Sequence, residues 1–257
     1  MHAPAFLRLT YRNIRVNMDL GTMIFMLGLP ALYLLVMGTM LQNIIPGVEL
    51  NSSRVSYTHF LGPGIVAMQT LTAGNIGGGM LWSDRRWGMF EQLLVGPFKR
   101  TDYLLGIIMV AIIFAVAGSL IMLGLSVSIS GGFILSWISV SLTLFSIILG
   151  TMLFSSLFLI ISTLAKTMQT YNTITIALFF VLDFASSAFY PIPTTSDAVI
   201  RAISLSNPLT YIVDVTRTAL IGVPDTTTYM YAIAMLVLTI VLFAIARLLY
   251  RTVRSGV

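Results

Sequence analysis

Residues 107–125 read IIMVAIIFAVAGSLIMLGL, an unbroken run without a charged side chain. Bilayer hydrocarbon is about 30 Å thick and an α-helix rises about 1.5 Å per residue, so about 20 apolar residues in a row cross it. A strand of a spanning β-barrel instead alternates over about ten residues, a pattern this run lacks. It therefore reads as the centre of a membrane helix over 103–127. Five stretches of the same character surround it, near 21–42, 60–82, 134–164, 172–193 and 229–250. The expectation is an all-α, polytopic membrane protein with six transmembrane helices, in one domain over 1–257. Composition agrees: 57% of the chain is hydrophobic and 9% charged, against about 25% charged for soluble domains.

Lys and Arg concentrate in the cytoplasmic segments beside membrane helices. Counted alternately along six spans, one side holds Arg8, Arg12, Arg15, Arg85, Arg86, Lys99, Arg100, Lys166, Arg247, Arg251 and Arg254; the other holds Arg54, Arg201 and Arg217. Eleven against three predicts both termini in the cytoplasm and a cytoplasmic (inner) membrane location. The net charge of +5 then reflects attraction to an anionic inner leaflet, with no nucleic-acid partner needed. The first apolar run lacks a small-residue cleavage site and reads as a retained helix.

Between the spans, local patterns predict shorter elements. Residues 4–18 place Arg8, Arg12 and Arg15 beside an apolar stripe of Leu7, Tyr11, Ile14 and Met18, the pattern of a helix lying in the membrane interface. In SDRRWGMFEQLLVGPFKRTD (83–102), Trp87, Phe90 and Leu94 share one helical face and Asp84, Gly88 and Glu91 another. A short amphipathic helix follows, ended at Gly96-Pro97; a solvated turn is the alternative. Residues 43–57 read as a polar, turn-rich outer loop, and the turn around Ser130-Gly131-Gly132 joins spans three and four as a hairpin. Residues 196–222 carry two mildly apolar helices broken at Asn207-Pro208, of the kind that re-enter a membrane where protein buries them, with Asp214 and Arg217 spaced to pair.

Chemistry of the enzymatic kind finds little support. With no cysteine and two separated histidines, His2 and His59, neither disulfides, thiolate chemistry nor a metal site is expected. Lys166-Thr167 lacks the glycines of a phosphate-cradling loop, so no ATP site of that kind exists here. GNIGGG (74–79) has the wrong spacing for a dinucleotide loop and reads as a surface where helices approach closely. Met23, Phe25 and Met26 read as lipid-facing or packing side chains. Asp183, in LFFVLDFASS, is the exception: an acid within a span is costly, so it reads as a residue of the substrate path or gate, or as a packed acid near the outer interface. An intramembrane enzyme centred on Asp183, or a scaffold subunit without a path, remain the rival readings.

YTHFLGPGIVAM (57–68), DRRWGMFEQLLVGPFKRTDYLLG (84–106) and NPLTYIVDVTRTALIG (207–222), in this order and placement, resemble the type-2 ATP-binding-cassette permease family over nearly the whole chain. The resemblance implies that Asp84, Arg85, Gly88, Glu91, Leu94 and Pro97 belong to a coupling helix docking on a separate ATPase. On that reading Arg85 and Glu91 pair across the ATPase groove, and Gly88 permits close approach. It implies that Asn207, Pro208, Leu209, Tyr211, Asp214 and Arg217 form outer re-entrant helices. It further implies a second permease copy, a path at the dimer interface, and an amphiphilic cargo such as a drug, lipid or lipid-linked glycan. No cofactor belongs to this chain; ATP and Mg would be held by the partner ATPase. Asp183 departs from the uncharged residues expected in that span.

Overall fold

The computed structural model describes residues 4–45, 47–50, 53–96, 98–192 and 197–252, and over these the chain is almost entirely helical. Its axis is α4 (Tyr57–Arg86), about 45 Å long at 1.5 Å per residue. From Tyr57 to Leu81 nearly every residue of α4 is buried, because α6 (Arg100–Ser130), α7 (Trp137–Leu164) and α10 (Pro208–Ile221) surround it. The small residues of GNIGGG allow this. A Cβ on Gly74 would stand 2.6 Å from the Phe154 Cβ, and one on Gly78 2.6 Å from the Phe158 Cβ and 2.9 Å from its backbone. Backbones this close maximise dispersion contacts, which drive helix association where lipid removes the hydrophobic incentive.

The other helices pack around this axis. α1 (Ala5–Asn17) lies against α6, burying Leu9, Thr10 and Asn13 and leaving Leu7, Tyr11 and Met18 exposed. Three residues of the predicted apolar stripe thus face away from the protein, while Ile14 packs partly against the core. The first span is one rod in three pieces: α2 (Leu20–Leu32), a π-helical turn over Tyr33–Met37 and α3 (Gly38–Ile44). Pro30 sits inside α2, and its missing N–H disturbs the i→i−4 ladder just before the wider turn. The predicted outer loop after α3 contains a small antiparallel hairpin, β1 (Val48–Leu50) with β2 (Ser53–Val55), pairing Glu49 with Arg54. A period-2 signal of three residues is too short to read in sequence.

Local polar residues set the helix starts. Ser56 accepts from the His59 amide, Ser136 from Ser139 and Thr167 from Thr170, and Asp19 and Asp225 cap α2 and α11 (Thr226–Thr252) through Thr22 and Thr228. These bonds hold both carboxyls below the usual carboxylate range: the Thr22 side chain acts most strongly on Asp19, and the Thr228 amide on Asp225.

Among the described residues, four helices are long and apolar enough to cross a membrane: Leu20–Ile44, Arg100–Ser130, Trp137–Leu164 and Thr226–Tyr250. The chain is therefore a multi-pass membrane protein. α4 falls outside this set although it is long enough, because a helix enclosed by other helices keeps its Gly, Thr and Gln residues away from lipid. The fifth run, expected over 172–193, forms a helix only over α8 (Met168–Phe184); the chain then turns irregularly through 185–192. Seventeen residues span about 25 Å. The fourth run begins its helix at Trp137 and not at 134.

Substituting Gly78 by Ala is expected to lower stability by about 1–3 kcal/mol, as overpacking does. Gly124→Ala, where a Cβ meets nothing within 4 Å, should be neutral. Thermal unfolding of the two purified variants checks this.

Candidate functional site

At one end of the bundle α1, the end of α4, the start of α6 and the end of α7 converge. Asp84, in the last turn of α4, is the centre. Its Oδ1 accepts from Arg12 Nη2 at 3.1 Å and its Oδ2 from Arg12 Nη1 at 3.2 Å, a bidentate pair. The Tyr103 hydroxyl donates to Oδ2 at 2.8 Å. One carboxylate therefore ties α1 and α6 to α4. Such fork-to-carboxylate pairing is stronger than neutral hydrogen bonding and fixes orientation as well. Tyr103 in turn stacks on Tyr250 of α11, with centroids 6.1 Å apart and planes at 5°, and Arg100 donates to the Tyr250 carbonyl at 3.2 Å.

Arg85 points the other way. Its Nη1 donates to the Ser162 carbonyl at 2.9 Å and the Thr163 carbonyl at 3.4 Å. These belong to the last turn of α7, whose final carbonyls lack intrahelical donors and carry the negative end of the helix dipole. Within this chain Arg85 thus fastens α4 to the end of α7 through one of its guanidinium nitrogens.

The amphipathic segment expected over 84–97 is two pieces. α4 continues to Arg86, Gly88 turns at φ 67°, and α5 runs Met89–Val95. The Gly88 amide reaches back to the Arg85 carbonyl at 3.3 Å, so Gly88 closes α4 in the left-handed conformation that glycine alone adopts without strain. No atom of this chain lies within 4 Å of where its Cβ would be; within the chain the residue is required by its backbone angle. Trp87 and Val95, 72% and 90% exposed, leave apolar surface at this end. The side chains of Glu91 and Leu94, and Pro97, lie outside the described residues.

The opposite end has its own knot, in the expected residues. α9 (Ala198–Leu205) and α10 meet at Asn207-Pro208. Asn207 caps α10 through the Leu209 amide, and its Nδ2 donates to the Leu182 carbonyl in α8 at 2.7 Å. Pro208 takes the first helical position, where its missing N–H costs nothing. The Tyr211 hydroxyl donates to the Leu205 carbonyl, bracing α9 on α10. Arg217, 4% exposed, pairs with Asp214 at 3.3 Å and donates to the carbonyls of Phe60 (3.3 Å), Ser187 (2.8 Å) and Ala188 (3.3 Å). Its guanidinium carbon sits 3.9 Å from the centre of the Phe60 ring, a cation–π contact. Asp214 also accepts from the Ser187 hydroxyl at 2.7 Å, and Tyr57 donates to the Phe189 carbonyl at 2.8 Å.

Asp183 lies in the last turn of α8, fully buried, with neither carboxylate oxygen bonded among the described residues. It is closer to a helix end than a dozen-residue depth within a longer span suggested. No group of three or more His, Cys, Asp or Glu capable of holding a metal occurs among the described residues.

Sequence reading missed Arg12, Tyr103 and Tyr250 as members of one cluster. Arg12 stood among equivalent flanking cations, and its partner lies 72 residues away. A double-mutant cycle of Arg12→Ala with Asp84→Ala should return a coupling energy on the order of 1–2 kcal/mol in thermal unfolding. Pairing Arg15→Ala with Asp84→Ala should return none, since Arg15 sits over the Tyr11 ring of its own helix.

No curated protein matches this sequence. The sequence model of the ABC-2 type transporter family does, over residues 5–221. That stretch takes in α1, the cluster around Asp84, α8 and the knot around Arg217. An all-helical, multi-pass chain matched over most of its length in this way belongs to the ABC-2 type transporter family.

Proposed function

We propose that this chain is the transmembrane subunit of an ATP-driven exporter that moves an amphiphilic substrate, a drug, lipid or lipid-linked glycan, across the cytoplasmic membrane. A separate ABC ATPase supplies the energy, binding ATP and Mg, and this chain contributes no catalytic residue. The observation that carries the reading is the three-way tie at Asp84. A force applied at α5 enters α4 through one glycine turn, and α4 is tied there to α1, α6 and, through Arg85, α7. Packed helices move as rigid bodies over short distances, so such a joint turns a push at the end into a tilt of the bundle.

In this proposal α4 and α8 join the four apolar helices to make six spans, with both termini in the cytoplasm. The eleven-to-three distribution of Lys and Arg supports that direction, and the exposed Leu7, Tyr11 and Met18 support α1 lying in the interface. α9 and α10 act as re-entrant helices closing the outer end. A second copy of the chain completes the path. Its support is the outer surface of α8, where Ile176, Phe180, Val181 and Phe184 remain exposed. Asp183 stands near that surface as a residue of the path or gate. The rival reading of an intramembrane enzyme needs a second reacting group beside Asp183, and among the described residues neither of its oxygens has a polar partner.

Two classes of variant separate docking from transmission. Trp87→Ala with Val95→Glu should abolish co-purification with a co-expressed partner ATPase while leaving the permease folded. Arg12→Ala should retain the ATPase yet lower ATP-driven transport in proteoliposomes by roughly ten-fold, as loss of a positioning contact does. Full transport by both variants would overturn the coupling assignment.

A further inference from the structure

At the end of the bundle remote from Asp84, a cavity of about 490 Å³ opens between α9, α10 and the first turns of α11. That size falls within the range of small-molecule sites, about 300–1,000 Å³. Its walls carry charge in an arrangement that the fold itself does not use up. Arg217 on the floor is consumed by Asp214 and three backbone carbonyls. Asp214 spends only Oδ1 on Arg217 and Ser187. Its Oδ2 accepts no hydrogen bond among the described residues, and the side chain is 29% exposed. Asp225 likewise commits Oδ1 to the α11 cap.

On the facing wall, Arg201 of α9 is exposed and makes no ion pair or side-chain hydrogen bond among the described residues. The Tyr231 phenol, at the start of α11, stands within electrostatic reach of Asp214, Arg201 and Asp225 together. Its ring lies 5.2 Å from that of Tyr211. Arg201, the carboxylates and the Tyr231 phenol therefore border one small volume.

We infer that this cavity binds a zwitterionic head, with an anionic phosphate against Arg201 and a primary ammonium against Asp214 and Asp225. Glu49 of β1 lines the cavity as well, so a simple anion would meet three carboxylates, and a simple cation would meet Arg201. Only a ligand carrying both charges a few bonds apart satisfies each wall without facing a like charge. Phosphate suits a guanidinium through paired N–H donors, and an ammonium suits carboxylate oxygens and the face of a tyrosine ring. The inference deepens the export reading by naming the chemistry of a polar head held at the outer end. It is tested without the ATPase and without transport, so the two fail separately.

The experiment is calorimetric titration of the purified full chain in detergent with glycerophosphoethanolamine, and with glycerol 3-phosphate and ethanolamine as its single-charge halves. The whole head is expected to bind at least roughly ten-fold more tightly than either half. Arg201→Gln should weaken it by roughly ten-fold with the unfolding temperature unchanged, and Arg201→Lys, which keeps the charge but loses the paired donors, should recover only part of the affinity. Equal binding of either half, no binding at about 10 mM, or an Arg201→Gln variant that is folded and binds as the parent does would each overturn the assignment. The three-probe comparison on the parent chain decides the matter even if a variant fails to fold.

Discussion

In a bilayer there is no water to take the hydrogen bonds of a helix end, so a backbone carbonyl that leaves the ladder inside the bundle must find a donor from the protein. Two arginines meet this constraint here, one at each end. Arg85 supplies the last carbonyls of α7. Arg217 supplies Ser187 and Ala188, where the chain has left α8, and Phe60 near the start of α4. Each lies in a helix other than the one it serves, so each satisfies backbone groups and fastens two elements in one step. Their charge is what makes this affordable: an arginine presents several fixed donors at once, and at Arg217 a carboxylate and an aromatic face offset its burial.

Between these ends α4 is less a membrane helix than a core. Its neighbours are protein on almost every side, so its sequence is free to be small and polar. Gly74 and Gly78 let α7 approach to backbone distance, and Thr70 and Thr72 return their hydroxyls to carbonyls of their own helix. Close backbone approach leaves little room for independent bending. On the proposed coupling reading, the element that would receive a push at α5 is thus also the one most rigidly embedded. Gly88, with a left-handed backbone and empty space around it, provides the only break among the described residues from Tyr57 to Val95.

What could be read in the sequence follows the reach of the interactions concerned. Four of the long apolar runs, the break at Asn207-Pro208, the Asp214–Arg217 pair and the small-residue face at 74–79 are local and periodic, and they stand in the structure as expected. The Arg12–Asp84–Tyr103 cluster joins residues 72 and 19 positions apart, and nothing local distinguishes Arg12 from Arg8 or Arg15. Arg85 was read with the segment that follows it, because amphipathic spacing continues through Gly88; only the positive φ at that glycine reassigns Asp84 and Arg85 to the end of α4. The early end of α8 is hidden for a related reason. AFY (188–190) is as apolar as a helix interior, but its carbonyls are taken by Arg217 and Tyr57 from distant elements.

Several buried polar side chains lack a partner among the described residues, Ser126, Thr143, Ser155 and Ser162 with them, and two of these groups carry the largest polar demand. Asp183 and Gln69 are both fully buried, and none of their side-chain oxygens or nitrogens has a partner among the described residues. Gln69 lies against Gly118 in the tight α4–α6 contact; Asp183 lies at the last turn of α8, beside the segment that Arg217 and Asn207 hold in place. A buried polar group without a partner costs about 1–3 kcal/mol, more when charged, and a conformation that gave either group a donor or water would recover that free energy. The two sites lie on the helices that a tilting α4 and a released outer knot would move. Strain of this kind narrows the gap between alternative packings of one bundle, which is the physical requirement for a protein that must alternate between them.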